Sequence, residues 1–93
     1  MAKYDPLKLF LRGQRGAAVR VTFAEIDTVV GGLPRSARTY LEWWDNGSIA
    51  VHTQARAWAA AGFRVEAVDL EREIVRFVRA GEATNAGRST DGD

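Results

Sequence analysis

The sequence predicts an α+β domain of the winged helix-turn-helix type, with helices packed on a small antiparallel sheet and a C-terminal β-hairpin. Three observations support this prediction. Apolar residues recur at helical spacing in the first half of the chain, a further helical pattern surrounds Trp58, and β-branched residues alternate with polar ones from residue 64 to residue 78. In chain order the elements are helix, strand, helix, short helix or loop, helix, strand, turn and strand, which is the order of winged-helix DNA-binding domains.

The first helix is predicted from its end signals and its apolar face. Asp5 suits the N-cap and Pro6 the first helical position, and Gly13 ends the pattern. Between them, the apolar positions of one helical face are Leu7, Phe10 and Leu11.

A short strand and a second helix follow directly. Residues 19–23 alternate between apolar and polar, which is typical of a half-buried strand. Thr22 stands three residues before Glu25 and predicts a capping box, and Gly31 ends the helix. A short helix is expected to restart after Pro34 and to continue through Tyr40.

Residues 40–52 allow two interpretations. Asn46-Gly47 is a hairpin-turn signal, so a β-ribbon is one alternative. We favour a loop that leads into a third main helix, because apolar or small residues then share one helical face: Val51, Ala55, Trp58 and Gly62. The opposite face would show His52, Thr53, Arg56, Ala57 and Ala60.

The C-terminal pattern predicts a hairpin and then a tail. Residues 64–68 and 74–78 alternate around a charged turn at Glu71-Arg72. Residues 80–93 contain no apolar side chain larger than alanine, so we expect a flexible tail after a single domain at residues 3–79. A chain of 93 residues accommodates one such domain.

Composition argues against several classes of protein. The chain has no cysteine and one histidine, which excludes disulfides, thiolate zinc sites and sites with several imidazoles. No nucleophile elbow or Walker loop is present, so we expect no enzyme, metal or cofactor. A membrane-spanning helix needs about 20 consecutive apolar residues, and no apolar run in the sequence is nearly that long. The polar N-terminus argues against a signal peptide. We expect a cytoplasmic protein of a bacterial or phage-infected cell.

Charge is unevenly distributed along the chain. Residues 1–40 carry seven basic side chains against three acidic ones, whereas residues 65–93 carry seven acidic side chains against four arginines. Eleven of the thirteen basic residues are arginine, which suits phosphate and guanine contacts but also follows from GC-rich coding.

Two groups of polar residues are candidate DNA contacts. Arg35, Ser36 and Arg38 could clamp a phosphate at a helix start. A second backbone contact could be formed by Arg12, Arg15 and Arg20 together with Gly13 and Gly16. His52, Thr53 and Arg56 could reach bases or phosphates from the third main helix, and we expect Arg56 to contact a base. Gln54 could pair with adenine or hold the preceding loop. The alternative for each group is an ordinary solvated surface.

The three tryptophans divide between core and surface in this interpretation. Trp58 and one of the adjacent pair Trp43 and Trp44 are expected in the core, because a small domain needs large apolar side chains. The other could present a ring to a partner, since two consecutive residues of a strand face opposite sides.

Several motifs together resemble a small bacterial and phage domain family of unknown function, which occurs alone and appended to larger proteins. They are Lys3-Tyr4-Asp5-Pro6-Leu7, Thr22-Phe23-x-Glu25-Ile26, Leu33-Pro34-x-Ser36-Ala37-Arg38, Trp43-Trp44-x-Asn46 and Gln54-Ala55-x-Ala57-Trp58. The resemblance covers residues 3 to about 79 and implies no activity. It marks Ser36, Arg38, Trp43, Trp44, Asn46, Gln54 and Trp58.

The resulting hypothesis is a non-enzymatic protein that binds double-stranded DNA, such as a small regulator or a phage or chromosome accessory factor. The alternative is a protein-protein interaction module that docks a partner through the same face, favoured by the acidic turn where a DNA wing is usually basic. Monomer and homodimer both fit the sequence. The predicted DNA contacts are Arg20, Arg35, Ser36, Arg38, Trp43, Asn46, His52, Thr53, Gln54 and Arg56.

Overall fold

A computed structural model describes residues 2–48 and 53–80 of the chain. Its elements in order are α1 (Asp5–Arg12), β1 (Ala18–Thr22), α2 (Phe23–Val30), α3 (Arg35–Thr39), two 3-10 turns (Leu41–Trp44 and Asn46–Ser48), α4 (Thr53–Ala60), β2 (Phe63–Asp69) and β3 (Ile74–Arg79). The predicted α+β fold with a C-terminal hairpin is confirmed. Ala80, the first residue of the predicted tail at residues 80–93, donates its N–H to the Gly62 carbonyl (2.9 Å). Residues 81–93, like Val51 and His52, lie outside the described residues.

The first two helices follow their sequence signals closely. The prediction that Asp5 is the N-cap of α1 was wrong by one residue: Tyr4 holds that position, and the Asp5 carboxylate accepts a hydrogen bond from the Ala2 N–H (3.1 Å). The capping box of α2 is present, with the Glu25 N–H donating to Thr22 Oγ1 (3.0 Å) and the Thr22 N–H to Glu25 Oε1 (2.8 Å). Gly31 ends α2 at a φ of +76°, a conformation that glycine adopts without strain.

The three strands form one antiparallel sheet in the order β1-β3-β2. One face carries the apolar side chains and packs against the helices; these residues are Val21, Phe63, Val65, Val75 and Phe77. Because side chains alternate along a strand, Arg20, Arg64 and Arg76 project from the other, exposed face. The core therefore lies between one face of the sheet and the helices.

Residues 41–48 form two 3-10 turns, so Trp43 and Trp44 lie in the loop that we favoured and not in the first strand of a β-ribbon. Residues 49–52, which complete the segment, lie outside the described residues. Trp44 is buried between Phe23 and Trp58, with ring centroids 5.2 and 6.0 Å away. Trp43 lies at the edge of this cluster, 4.7 Å from Trp44, and is half-buried. Both adjacent tryptophans contact the core because the 3-10 turn does not send consecutive side chains to opposite faces, as a strand would.

Within residues 2–48 and 53–80, no helix has the length and apolar character needed to cross a membrane.

Candidate nucleic-acid interface

A cleft separates α1 from α4, and both helices place residues on it at helical spacing. Tyr4 and Lys8 are four residues apart at the start of α1, and Thr53, Arg56 and Ala60 recur along α4. The cleft has a volume of about 170 Å³ and is lined by Ala2, Tyr4, Asp5, Lys8, Thr53, Arg56, Ala57 and Ala60. It is small, and alanines form much of its wall.

Ala57 was predicted to lie on the exposed face of the third main helix, and this prediction was wrong. The helical wheel placed it opposite the core, but only 7% of its surface is exposed. The reason is that α1 packs beside α4 and covers this position, a contact between distant segments that no local pattern predicts. Thr53, Arg56 and Ala60 remain exposed, as predicted.

Positive charge predominates around the cleft. Lys8 and Arg56 line it together with a single acidic residue, Asp5. Just beyond it, Arg12 continues the spacing of four from Tyr4 and Lys8, and its Nη2 lies 3.5 Å from the carbonyl oxygen of Ala60. The surface formed by α1 and α4, called the α1–α4 surface below, thus carries three basic side chains around small residues.

Tyr4 is one of the residues that line the cleft. The residue as a whole is 9% exposed. Its ring contacts the Trp43 ring edge-on, and the two ring centroids are 5.8 Å apart. The Tyr4 hydroxyl makes no hydrogen bond within the described part of the chain. Burial raises the pKa of the Tyr4 hydroxyl above its usual value of 10.0, so this group remains a proton donor at neutral pH.

Asn46, a predicted DNA contact, has its side chain engaged inside the fold. Its Nδ2 donates to the Val65 carbonyl (2.7 Å), while its Oδ1 accepts from the Val65 N–H (2.8 Å) and from Trp58 Nε1 (3.0 Å). Since β2 is an edge strand, the carboxamide takes the place that a neighbouring strand would occupy. These three hydrogen bonds explain the residue structurally, and we leave it out of the interface.

Gln54 and Trp43 also have structural partners. Gln54 is buried, and its Nε2 donates to the Trp43 carbonyl (3.2 Å). This is the loop-holding role weighed for Gln54 against pairing with adenine. The Trp43 ring contacts Tyr4, Trp44 and Trp58, so most of it is used within the aromatic cluster.

The predicted phosphate clamp on α3 is weakened by an ion pair. Arg38 lies 3.2 Å from the Glu73 carboxylate and 3.8 Å from that of Asp27, so two acidic groups already offset its charge. Arg35 and Ser36 are exposed on the same helix, which is only five residues long. The three residues are neighbours, but Arg38 is directed towards the hairpin turn and α2.

The remaining predicted contacts separate into two places. Thr53 and Arg56 lie together on the cleft, while His52 is outside the described residues. Arg20 projects from the exposed face of the sheet, where its strand partner is Arg76. The structure therefore does not place Arg20 on the α1–α4 surface.

Sequence reasoning missed Tyr4 and Lys8 as members of a site. The available signal was the spacing of four residues from Tyr4 to Lys8 and on to Arg12, which puts all three on one side of a helix. It also missed Arg79, which donates to the carbonyls of Gly16 and Gln14 at 2.8 Å each. That arginine fixes the turn between α1 and β1 from the far end of the chain.

In the segments that the structure describes, no three histidine, aspartate or glutamate side chains gather as they would to hold a metal ion.

No curated protein and no solved structure matches the chain. A family model described as "Domain of unknown function (DUF7662)" matches residues 4–80, a range that includes α1, α4, the cleft and the whole sheet. The chain therefore belongs to this family of domains of unknown function.

Proposed function

We propose that this protein binds double-stranded DNA through the α1–α4 surface, without enzymatic activity, as a small regulator or a phage or chromosome accessory factor in the cytoplasm. The observation that carries the proposal is the grouping of Lys8, Arg12 and Arg56 around small residues. Basic side chains neutralise phosphates, and small side chains let the two helices approach the duplex closely.

The connectivity supports the same proposal. In a winged helix-turn-helix domain, the helix before the hairpin enters the major groove, and the hairpin is the wing. Here α4 precedes the hairpin of β2 and β3, and β1 pairs with β3. We therefore assign α4 the role of the recognition helix.

The hairpin turn is excluded from the proposed interface by its charge. Asp69, Glu71 and Glu73 outnumber Arg72 in this turn, and Glu73 already pairs with Arg38. Phosphates would be repelled there, so DNA contact is proposed for α1 and α4 alone.

The salt dependence of duplex binding tests this proposal. We expect fluorescence anisotropy with a short labelled duplex to show binding that weakens steeply between about 50 and 200 mM salt. Lys8→Ala and Arg12→Ala should each lower the slope of log K against log salt by about one. Arg64→Ala, which removes an arginine from the exposed face of the sheet, is the matched control and should leave the slope unchanged.

Absence of binding to any duplex at about 50 mM salt and micromolar protein would reject the proposal. An equal loss of slope in Arg64→Ala would instead show that charge anywhere on the molecule suffices, and that the α1–α4 surface has no special role.

A protein partner docking through the same face is the second candidate function. The acidic hairpin turn favours it, because a wing that contacts DNA is usually basic. Exposed apolar side chains elsewhere on the domain are a second feature suited to a protein partner: Tyr40 and Leu41, which do not line the cleft, are adjacent and each is 58% exposed. This candidate predicts no duplex binding with a steep salt slope, so the same titration separates the two functions.

A further inference from the structure

We infer that the cleft between α1 and α4 binds a single phosphate group, held by the hydroxyls of Tyr4 and Thr53 and the cations of Lys8 and Arg56. The inference deepens the proposed function and rests on it for one source of the phosphate, the DNA backbone. A free phosphate monoester is the other source, and it offers the same oxygen acceptors.

The size of the cleft limits the ligand to a small group. Pockets that enclose whole cofactors or drug-sized molecules usually measure about 300 Å³ or more. At about 170 Å³ this cleft is smaller, so it accommodates one compact group and leaves the rest of the ligand outside. A phosphate on a longer chain meets that description.

The polar groups of the cleft are mostly donors. The ammonium of Lys8 and the guanidinium of Arg56 carry N–H donors and no acceptor atoms, and the hydroxyls of Tyr4 and Thr53 can both donate. Phosphate oxygens are acceptors with negative charge, so the two sets match. The one opposing group is the Asp5 carboxylate, which already accepts a hydrogen bond from the Ala2 N–H.

The Tyr4 hydroxyl is the independent observation. Tyr4 lines the cleft, and its hydroxyl has no hydrogen-bond partner within residues 2–48 and 53–80. A hydroxyl at the wall of a cleft that has no acceptor in the protein can donate to a ligand. A phosphate oxygen in the cleft would supply the missing acceptor.

This assignment changes the expected role of Arg56. A residue that contacts a base loses affinity only on the sequence it prefers, whereas a phosphate contact is lost on every sequence. Because Arg56 lines the cleft together with Lys8, we expect Arg56→Ala to weaken binding equally across unrelated duplexes.

Tyr4→Phe tests the inference with little disturbance of the fold, because the ring keeps its contact with Trp43. We expect inorganic phosphate, titrated at constant ionic strength, to shift the amide NMR signals of Thr53 and Lys8 in the unmodified protein. The affinity for phosphate should fall about tenfold or more in Tyr4→Phe, the loss expected when one hydrogen bond to a charged group is removed. Tyr40→Phe removes the other, exposed tyrosine hydroxyl and should change nothing. Asp5→Asn should tighten phosphate binding.

Duplex binding by the same variants identifies the source of the phosphate. A loss of duplex affinity in Tyr4→Phe, together with displacement of duplex by phosphate, supports the DNA backbone. A loss of phosphate affinity with unchanged duplex affinity supports a free phosphate monoester. If phosphate shifts no signal of the cleft and Tyr4→Phe binds duplex like the unmodified protein, the inference is overturned while the proposed function stands. Failure of all duplex binding, with phosphate still bound in the cleft, would reject only the proposed function.

Discussion

Replacing Trp58 by alanine is expected to lower the free energy of unfolding by about 3–5 kcal/mol, the range for large aromatic residues in a core. Trp58 is fully buried, and its ring packs against Trp44 at 6.0 Å and Phe77 at 5.7 Å. The variant also removes the indole N–H that donates to Asn46. Since the free energy of unfolding of a native protein is about 5–15 kcal/mol, the substitution would remove much of the stability. Urea denaturation followed by circular dichroism measures the change.

Two further variants serve as comparisons for Trp58→Ala. Trp58→Phe keeps an aromatic ring in the stack but loses the indole hydrogen bond, so its loss should be clearly smaller. Leu9→Ala removes an apolar side chain that is 53% exposed and should change stability by no more than about 0.5 kcal/mol. A Trp58→Ala protein as stable as Leu9→Ala would contradict the burial described here.

Asn46→Ala is expected to lower the free energy of unfolding by about 2–3 kcal/mol. Three hydrogen bonds are lost, and the N–H and carbonyl of Val65 on the edge of β2 are left without their Asn46 partners. Thermal and urea unfolding measure this loss. A surface asparagine would give a change within about 0.5 kcal/mol. The two roles considered for Asn46, DNA contact and structural clamp, therefore predict different outcomes.

Asn46→Asp sharpens the comparison. The carboxylate can still accept from Trp58 Nε1 and the Val65 N–H, but its second oxygen would face the Val65 carbonyl oxygen and repel it, so Asn46→Asp should also be clearly less stable than the original. Unchanged stability with a specific loss of duplex affinity in Asn46→Ala would restore the residue to the DNA interface.

Five of the seven residues marked by the family resemblance, all except Ser36 and Arg38, make hydrogen bonds that involve the segment before α4. Trp44 Nε1 donates to the Ala37 carbonyl (2.8 Å), Gln54 donates to the Trp43 carbonyl, and Asn46 joins Trp58 to β2. Each contact ties the two 3-10 turns to a different part of the fold. These residues therefore fix α4 relative to the 3-10 turns and β2, and the Trp43 ring adds a contact with Tyr4 at the start of α1.

Local patterns in the sequence were sufficient for most of the backbone. Thr22, Glu25 and Gly31 carry their structural signals within one helix, and the alternation from residue 64 to residue 78 carries the hairpin. Such signals are reliable because they depend on backbone conformation and on which face is apolar, both of which nearby residues determine. The first helix was likewise placed to within one residue.

The sequence by itself thus determined the α+β class, the order of the elements, the burial of Trp58 and the exposure of Thr53 and Arg56. The tertiary structure decided which polar groups find partners: it pairs Arg38 with Glu73, turns Asn46 onto the edge of β2, and brings Tyr4 to the cleft beside α4. Helical and strand periodicity tells which way a side chain faces, but not what another segment, dozens of residues away, places there. The candidate site arises from that second kind of information, because its two walls, α1 and α4, are separated in the chain by residues 13–52.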